Sequence, residues 1–331
     1  MKNNWHWNGY GFKAMGTRVY IWFYSNTPNS SEILQDIQST FDSMERRLSR
    51  FLPHSELSLL NCTTAHEFRA SPTLFSVMEA AKWAASATGG IFDPTILGAL
   101  ETAGYNRSFE TIAAEQPAVP APTPNHQPGG FAGVTLNPAT RHIGKPPGLK
   151  IDLGGIGKGW TVDRTADRLA GNAPFLVNAG GDLYAYGAPP EHSAWRVDIP
   201  HPAHGKQIIA RLNIADRAVA TSSITRRRWL RGNVPMHHLI DPRTGHPANT
   251  DLQSVTVVAR RTVVAEVFAK TALILGAREG FSFLESLPDV AGLLVTADNR
   301  ILATPQMAAY LYPMPDILPI ETPATVNTAK I

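Results

Sequence analysis

The chain has one cysteine, Cys62, in 331 residues. No intrachain disulfide is possible, and no metal site built on several thiolates can form within the chain. Long apolar runs are missing as well. None approaches the roughly 20 residues that cross a bilayer, so no membrane span is expected. The opening MKNNWHWNGYGF lacks the apolar stretch of a secretory signal and any cysteine for lipid attachment. Neither sign of charge dominates: the formal net charge is +3 and the pI about 9.0. That is too mild to indicate a nucleic-acid partner, and the one arginine cluster has no aromatic stacking platform to go with it. A soluble, cytoplasmic protein with no nucleic acid bound is the expectation.

What the chain does have is ordinary apolar content, 43%, enough for a sizeable core. Its length suits one large domain or two smaller ones, and no internal repeat is visible. RVYIWFY (Arg18–Tyr24) is rich in aromatic and β-branched residues and predicts a strand. Ile33, Leu34, Ile37, Phe41, Met44, Leu48 and Phe51 then recur at helical spacing, with Asn29 and Glu32 as a capping box. Ser71-Pro72 opens a second helix that stops at Gly89-Gly90. The Pro-rich segment 115–130 predicts a loop. Short strand candidates follow: GVTLN, RHIG, FLVNA, WRVDI, QIIARLNI, AVATS, MHHLI and SVTVVA. Helices over Gly159–Ala170 and Val263–Leu275 interrupt them. Strands in runs, with helices not strictly alternating, predict an α+β fold with largely antiparallel sheets and packed helices. The last residues, 313–331, read as a tail without a core face.

The densest chemical signal is KIDLGGIGKGWTVDRTADRLA. An apolar strand ends at Leu153, glycines follow at 154, 155, 157 and 159, and an amphipathic helix begins. Backbone N–H groups at such a turn converge on an anion, the helix N-terminus adds partial positive charge, and Lys158 adds a full one. The spacing matches neither a Walker A loop nor G-x-G-x-x-G, and a tight structural turn explains the glycines equally well. VNAGGDLYAYG repeats the theme with Gly180, Gly181 and Asp182, again as a hairpin turn or a place of close backbone approach. In HHLIDPRTG, a strand over Met236–Ile240 runs into a turn of type I composition. His237 and His238 would then point to opposite faces, so one of them could serve a site as general base. Arg226, Arg227, Arg228 and Arg231 beside Trp229 read foremost as a solvated hairpin, with a patch for phosphates or a partner protein as the other reading, and Phe92-Asp93-Pro94 reads as a capped turn. In VVAEVFAKTALILG, Glu266 and Lys270 interrupt an apolar helix four residues apart. By pattern they are either a structural ion pair or one side of an active site. On residues alone, the expectation stops at a phosphate-containing ligand, with catalysis open.

Taken in order, AMGT (Ala14–Thr17), SELSLLN (Ser55–Asn61), TGGIFDP (Thr88–Pro94), IDLGGIGKG (Ile151–Gly159), NAGGD, ATSS, HHLIDPRTG and AEVFAK resemble the FAD:protein FMN transferases, also called the ApbE or thiamine-biosynthesis lipoprotein family. The resemblance runs from about residue 10 to about 305 and implies one T-fold-like α+β domain over 10–305, ahead of the tail. It implies transfer of FMN from FAD to a threonine or serine hydroxyl of an acceptor protein, with AMP released. By resemblance His238 is the base, and Asp241, Arg243 and Thr244 shape the reacting site. Met15, Lys158, Asp163, Gly180, Gly181, Asp182, Thr221 and Ser222 fall at positions expected to line the FAD cleft. An FAD pyrophosphatase and a non-catalytic flavin-binding protein are the alternatives the same residues admit.

The family's metal site implies a backbone carbonyl at Gly157 and ligands at the positions of Glu266 and Lys270, where Asp and Thr are usual. The lysine is the departure. Either Glu266 still binds Mg²⁺ with Lys270 displaced, since a carboxylate is a suitable hard ligand, or the Lys270 ammonium stands in the metal's place.

Overall fold

The computed structural model describes residues 6–25, 30–112, 115–116, 129–171, 173–314 and 319–322. Among them, nine strands form one sheet: β1 (His6–Ala14), β2 (Thr17–Ser25), β3 (Phe175–Ala179), β4 (Asp182–Tyr186), β5 (Arg217–Ser223), β6 (Leu252–Ala259), β7 (Ala291–Thr296), β8 (Ile301–Ala303) and β9 (Ile320–Glu321). Their order in space is their order in sequence. Every pair is antiparallel except β8 with β9. Neighbours along the chain are therefore neighbours in the sheet, the commonest outcome for antiparallel connections.

Alternation divides the side chains between two faces. Ala218 and Ala220 of β5 and Val255 and Val257 of β6 face a core built with helices. Val219 and Val258, one residue out of phase, face the hairpin Trp195–Pro200/Ile208–Ile214. The helices are α1 (Ser30–Leu48), α2 (Glu56–Cys62), α3 (Pro72–Ala87), α4 (Leu97–Thr102), α5 (Gly157–Leu169), α6 (Thr262–Leu275) and α7 (Ala277–Glu285). None is long and apolar enough to cross a membrane.

Local chemistry explains the helix ends. Ser71 accepts from Leu74 N with Pro72 in the first turn of α3, and Gly89 and Gly90 at φ 58° and 82° end it, as expected. The expected capping residue Asn29 lies outside the described residues, as do 117–128 of the Pro-rich segment and 323–331 of the tail. Within that tail Ile320 packs at the edge of the hairpin-side core and Ile320–Glu321 pair with Ile301–Leu302, so this part does have a core contact. The strand expected over Met236–Ile240 is broken: Val234–His237 and Ile240–Asp241 pair with different partners, and His238 lies between them.

Helix α6 is apolar nearly all round because it is covered nearly all round, by β5, β6, α5 and α7. It crosses α5 at Gly159. A Cβ there would stand 2.9 Å from the Thr262 carbonyl and 2.8 Å from Glu266 Oε2, so only glycine admits the approach. Gly159→Ala is expected to cost about 1–3 kcal/mol by overpacking, read as a lowered denaturant midpoint. Gly205→Ala, with nothing within 4 Å of the added atom, serves as the silent control.

Candidate active site

The antiparallel registers bring several turns to one end of the sheet. Val19 pairs with Ala179, and Val219 with Leu183. The β1–β2 turn, the β3–β4 turn and the end of β5 therefore meet there. Met15 and Gly16 both carry positive φ, 52° and 64°, as a two-residue hairpin turn of type I′ requires. The Met15 methyl then approaches the site where Gly157 would carry a Cβ, at 3.5 Å. Gly180 and Gly181 make the next turn at φ 69° and 102°, with Asn178 Oδ1 accepting from Gly181 N at 2.8 Å.

Between this end of the sheet, the glycine loop and α6 lies a cleft of about 740 Å³. Met15, Gly157, Lys158, Gly180, Gly181, Asp182, Thr221, Ser222 and His238 all line it, as does Lys270. The volume is in the range of small-molecule and cofactor clefts.

A chain of four charges runs along one wall. Lys158 bonds both Asp182 and Glu266, the latter at 3.1 Å, and Lys270 reaches the same Glu266 Oε1 at 3.1 Å. Glu266 Oε2 accepts from Gly159 N at 2.8 Å. Glu266 is 1% exposed. Burial alone would raise its proton affinity, but the Lys158 and Lys270 ammonium groups and the Gly159 N–H hold its carboxyl at about 2. Asp182 moves the other way: burial pushes it up, Lys158 offsets this only in part, and the Glu266 charge pushes it further. Burial also works against the charge on Lys158, yet Asp182 and Glu266 outweigh it and the ammonium holds its proton more tightly than a free lysine.

The two histidines part company. His237 Nε2 pairs with Ala248 O at 3.1 Å, a structural bond. His238 lines the cleft, and its buried Nδ1 has no partner among the described residues. Burial, then the Arg227 and Lys270 charges, place the imidazole well below the usual histidine range, while a bond to the Arg227 carbonyl opposes the shift. Two more cleft-lining residues carry unpartnered buried atoms, Arg50 Nη2 and Asp93 Oδ2. Buried polar groups without partners are rare. Three such residues around one cleft mark where a ligand's polar atoms belong.

Several expected residues stand outside the lining. Asp163 accepts from Thr262 N at 2.7 Å and Val263 N at 3.0 Å; it caps α6 from α5, where Arg261 at the N-cap offers no side-chain cap of its own. Asp241, Arg243 and Thr244 are spent on their own turn. Arg243 bonds both Asp241 oxygens, with Nη2–Oδ2 at 2.8 Å, and Gly245 N donates to Asp241 O at 2.8 Å. Glu266 lies behind the two lysines.

The family model for the ApbE family matches residues 15–294. That is most of the chain, and it takes in the cleft. The chain belongs to the ApbE family. Among curated relatives it is 29% identical to the FAD:protein FMN transferase of Treponema pallidum, covering 88% of this chain and 85% of the relative. It is 26% identical to that of Vibrio cholerae, with 86% of each covered. The fold matches the ApbE protein of Thermotoga maritima with a TM-score of 0.84 at 24% identity, over 93% of this chain and all of that one. It matches the Vibrio cholerae flavin transferase ApbE with a TM-score of 0.77 at 24% identity and the same coverage.

This ApbE chain also brings in residues that local patterns passed over. Arg50 pairs with Asp152 at 2.6 Å and lies over the Phe51 and Tyr105 rings, 4.2 and 4.6 Å from their centroids. No spacing links Arg50 to Asp152. Arg226 and Arg227, read as a solvated hairpin, line the cleft, with Arg227 Nη2 on Gly16 O at 3.3 Å. The reason is Trp229, which is buried with Nε1 on Ala103 O at 3.0 Å and ties that hairpin down.

Glu266 has a testable pH signature. A carboxylate lowered from 4.5 to about 2 contributes stability that is fully present above pH 4.5 and lost as pH falls through about 2. The advantage of wild type over Glu266→Gln is expected to be on the order of 3 kcal/mol near neutrality and to shrink steadily below pH 4.5. Urea unfolding at a series of pH values reads it; a difference that stays constant would show that the lysines do not hold the carboxylate.

Proposed function

We propose that this chain moves FMN from FAD to a threonine or serine hydroxyl of an acceptor protein. The acceptor oxygen bonds to the phosphorus on the FMN side of the pyrophosphate, the bond from that phosphorus to the bridging oxygen breaks, and AMP leaves with that oxygen. The hydroxyl proton passes to His238. The observation that carries this reading is the unpartnered Nδ1 of His238 at the wall of a cleft that also holds the glycine loop, Lys158 and Lys270. With its proton on Nε2, the ring keeps Nδ1 as a free basic lone pair. An imidazole kept neutral is ready to accept a proton near neutral pH.

The remaining roles follow from position. Met15, Gly157, Gly180, Gly181, Asp182, Thr221 and Ser222 would bound the dinucleotide, and Lys158 would set its charge. Asp241, Arg243 and Thr244 would hold the turn that follows His238 rather than touch the reacting atoms. Asp163 would act through α6. The family match over 15–294 supports a single transferase unit over residues 10–305, to which Ile320–Glu321 add an edge strand. The free, exposed Cys62 suits a reducing cytoplasmic setting. The residues at Gly157 and Glu266 do not suit the magnesium that the resemblance implies there. Both Glu266 oxygens already accept from donors, two of them cations, and that donor set does not fit a dication.

The test is purified protein with FAD and an acceptor domain carrying a candidate threonine, followed by AMP release and the acceptor's intact mass. An FMN-sized gain with equimolar AMP is expected. AMP without the gain, using an acceptor flavinylated by a relative, would instead indicate hydrolysis. His238→Asn is expected to lower the transfer rate by about 100- to 10,000-fold with FAD binding retained. Because His238 is lowered from 6.5, the acid limb of the wild-type rate is expected below pH 6.5. A limb above that value would assign the base elsewhere.

A further inference from the structure

Helix α6 holds Glu266 and Lys270 rigidly. Asp163 caps its start, Gly159 fixes its distance from α5, and ten of its fourteen residues are buried. On this fixed frame both oxygens of the Glu266 carboxylate are engaged, Oε2 by Gly159 N–H and Oε1 by two ammonium groups. A divalent cation would have to displace one of these donors or crowd in beside it, and in either case sit against two lysines. The nearest other acid, Asp182, is bonded to Lys158. Among the described residues no group of three His, Cys, Asp or Glu could hold a metal ion. A place built for a cation is here furnished with cations of its own.

The two lysines are not equivalent. Lys158 is shared between two carboxylates. Among the described residues Lys270 bonds only Glu266 Oε1, and an ammonium has three donors, so two remain unspent there. Its side chain is 15% exposed and lines the cleft. Its stem lies across the glycine loop, where a Cβ on Gly155 would stand 3.3 Å from Cε. Its charge reaches His238 across the cleft. The ammonium thus lies between the loop suited to phosphates and the proposed base. A fixed charge in a water-poor site stabilises developing negative charge without reorganising at the moment of reaction.

We infer that Lys270 is the cation that meets the pyrophosphate of the dinucleotide in this chain, and that binding and flavin transfer need no divalent metal. The inference deepens the proposed function and rests on it for the reaction, while its binding half stands alone. Glu266 is then a positioning residue: it orients Lys270 and keeps it charged.

The experiment uses the full chain, stripped with EDTA, and measures FAD affinity by calorimetry and AMP release with an acceptor, each with EDTA and with excess Mg²⁺. Both quantities are expected to differ less than about twofold between the buffers. Loss of affinity or rate in EDTA, restored by Mg²⁺, would overturn the inference and leave the transferase reading standing. Lys270→Met is expected to weaken FAD binding in EDTA about tenfold or more, the loss of a charged hydrogen-bond donor, and Lys270→Arg to recover part of it. Wild-type affinity in Lys270→Met would overturn it. That variant keeps Lys158 and Gly159 on Glu266, and its melting curve checks the fold; should it not fold, the wild-type buffer comparison decides alone. Absence of AMP in every buffer would remove the transferase reading, with FAD affinity still reporting on Lys270. Absence of FAD binding in both buffers would remove both.

Discussion

The bond from Gly159 N–H to Glu266 is the contact on which the rest of the site depends. It exists because α5 and α6 touch backbone to side chain at a residue with no Cβ. Without that approach the Glu266 carboxylate would lie buried beside the lysines with one oxygen unsatisfied, and a buried charge short of partners is costly. With it, one acid serves as the anchor for Lys158 and Lys270 together. Breaking such a buried network on one side leaves an uncompensated charge, so the pairing is strongly conditional: each member is tolerable only while the others are in place. The same contact fixes the spacing between the glycine loop and α6, hence the width of the cleft wall.

The sheet supplies the opposite wall by a simpler route. Because its nine strands follow one another in space as in sequence, alternate turns fall at the same end. Met15–Gly16, Gly180–Gly181 and the end of β5 are far apart along the chain and adjacent in the structure. Each can carry unusual backbone, as the positive φ of Met15 shows, since the paired strands on either side hold it. Loops on a rigid scaffold are where sites are commonly built. Here the scaffold is buried on both faces near its centre, by helices on one side and a hairpin on the other.

How much of this could be read from the chain depended on how local its cause was. The start and stop of α3 rest on Ser71, Pro72, Gly89 and Gly90, all within a turn of the event they control, and the sequence pattern shows them plainly. FLVNA spans β3 to the residue. The strand over Met236–Ile240 was not legible as broken, because the break at His238 is set by partners elsewhere: Arg228–Arg231 pairs with one part and His246–Pro247 with the other. Asp163 could be placed near a site by its motif but not assigned its partners, since the N–H groups it caps lie about a hundred residues away. Arg50 with Asp152 and the arginines beside Trp229 fail to announce themselves for the same reason. Their roles come from tertiary contacts, and composition alone makes an arginine run look solvated.

Glu266 and Lys270 show why the question of ion pair or active site has no answer at the level of pattern. A four-residue spacing on a helix gives a weak surface pair, about 0.3–0.5 kcal/mol, and nothing in that spacing separates the two roles. In the structure the pair is not weakly placed: Glu266 is buried and Lys270 stands at the cleft. Burial raises the cost of the charges, and the network of Lys158, Asp182 and Gly159 offsets it. A lysine kept at the mouth of such a network, with donors unused, is poorly explained by stability alone, because an apolar residue of similar volume would fill the helix face at lower desolvation cost. The unspent donors make sense when an anion completes them. Being part of a structural network is therefore what allows Lys270 to act in the site: the carboxylate that pairs it also aims it.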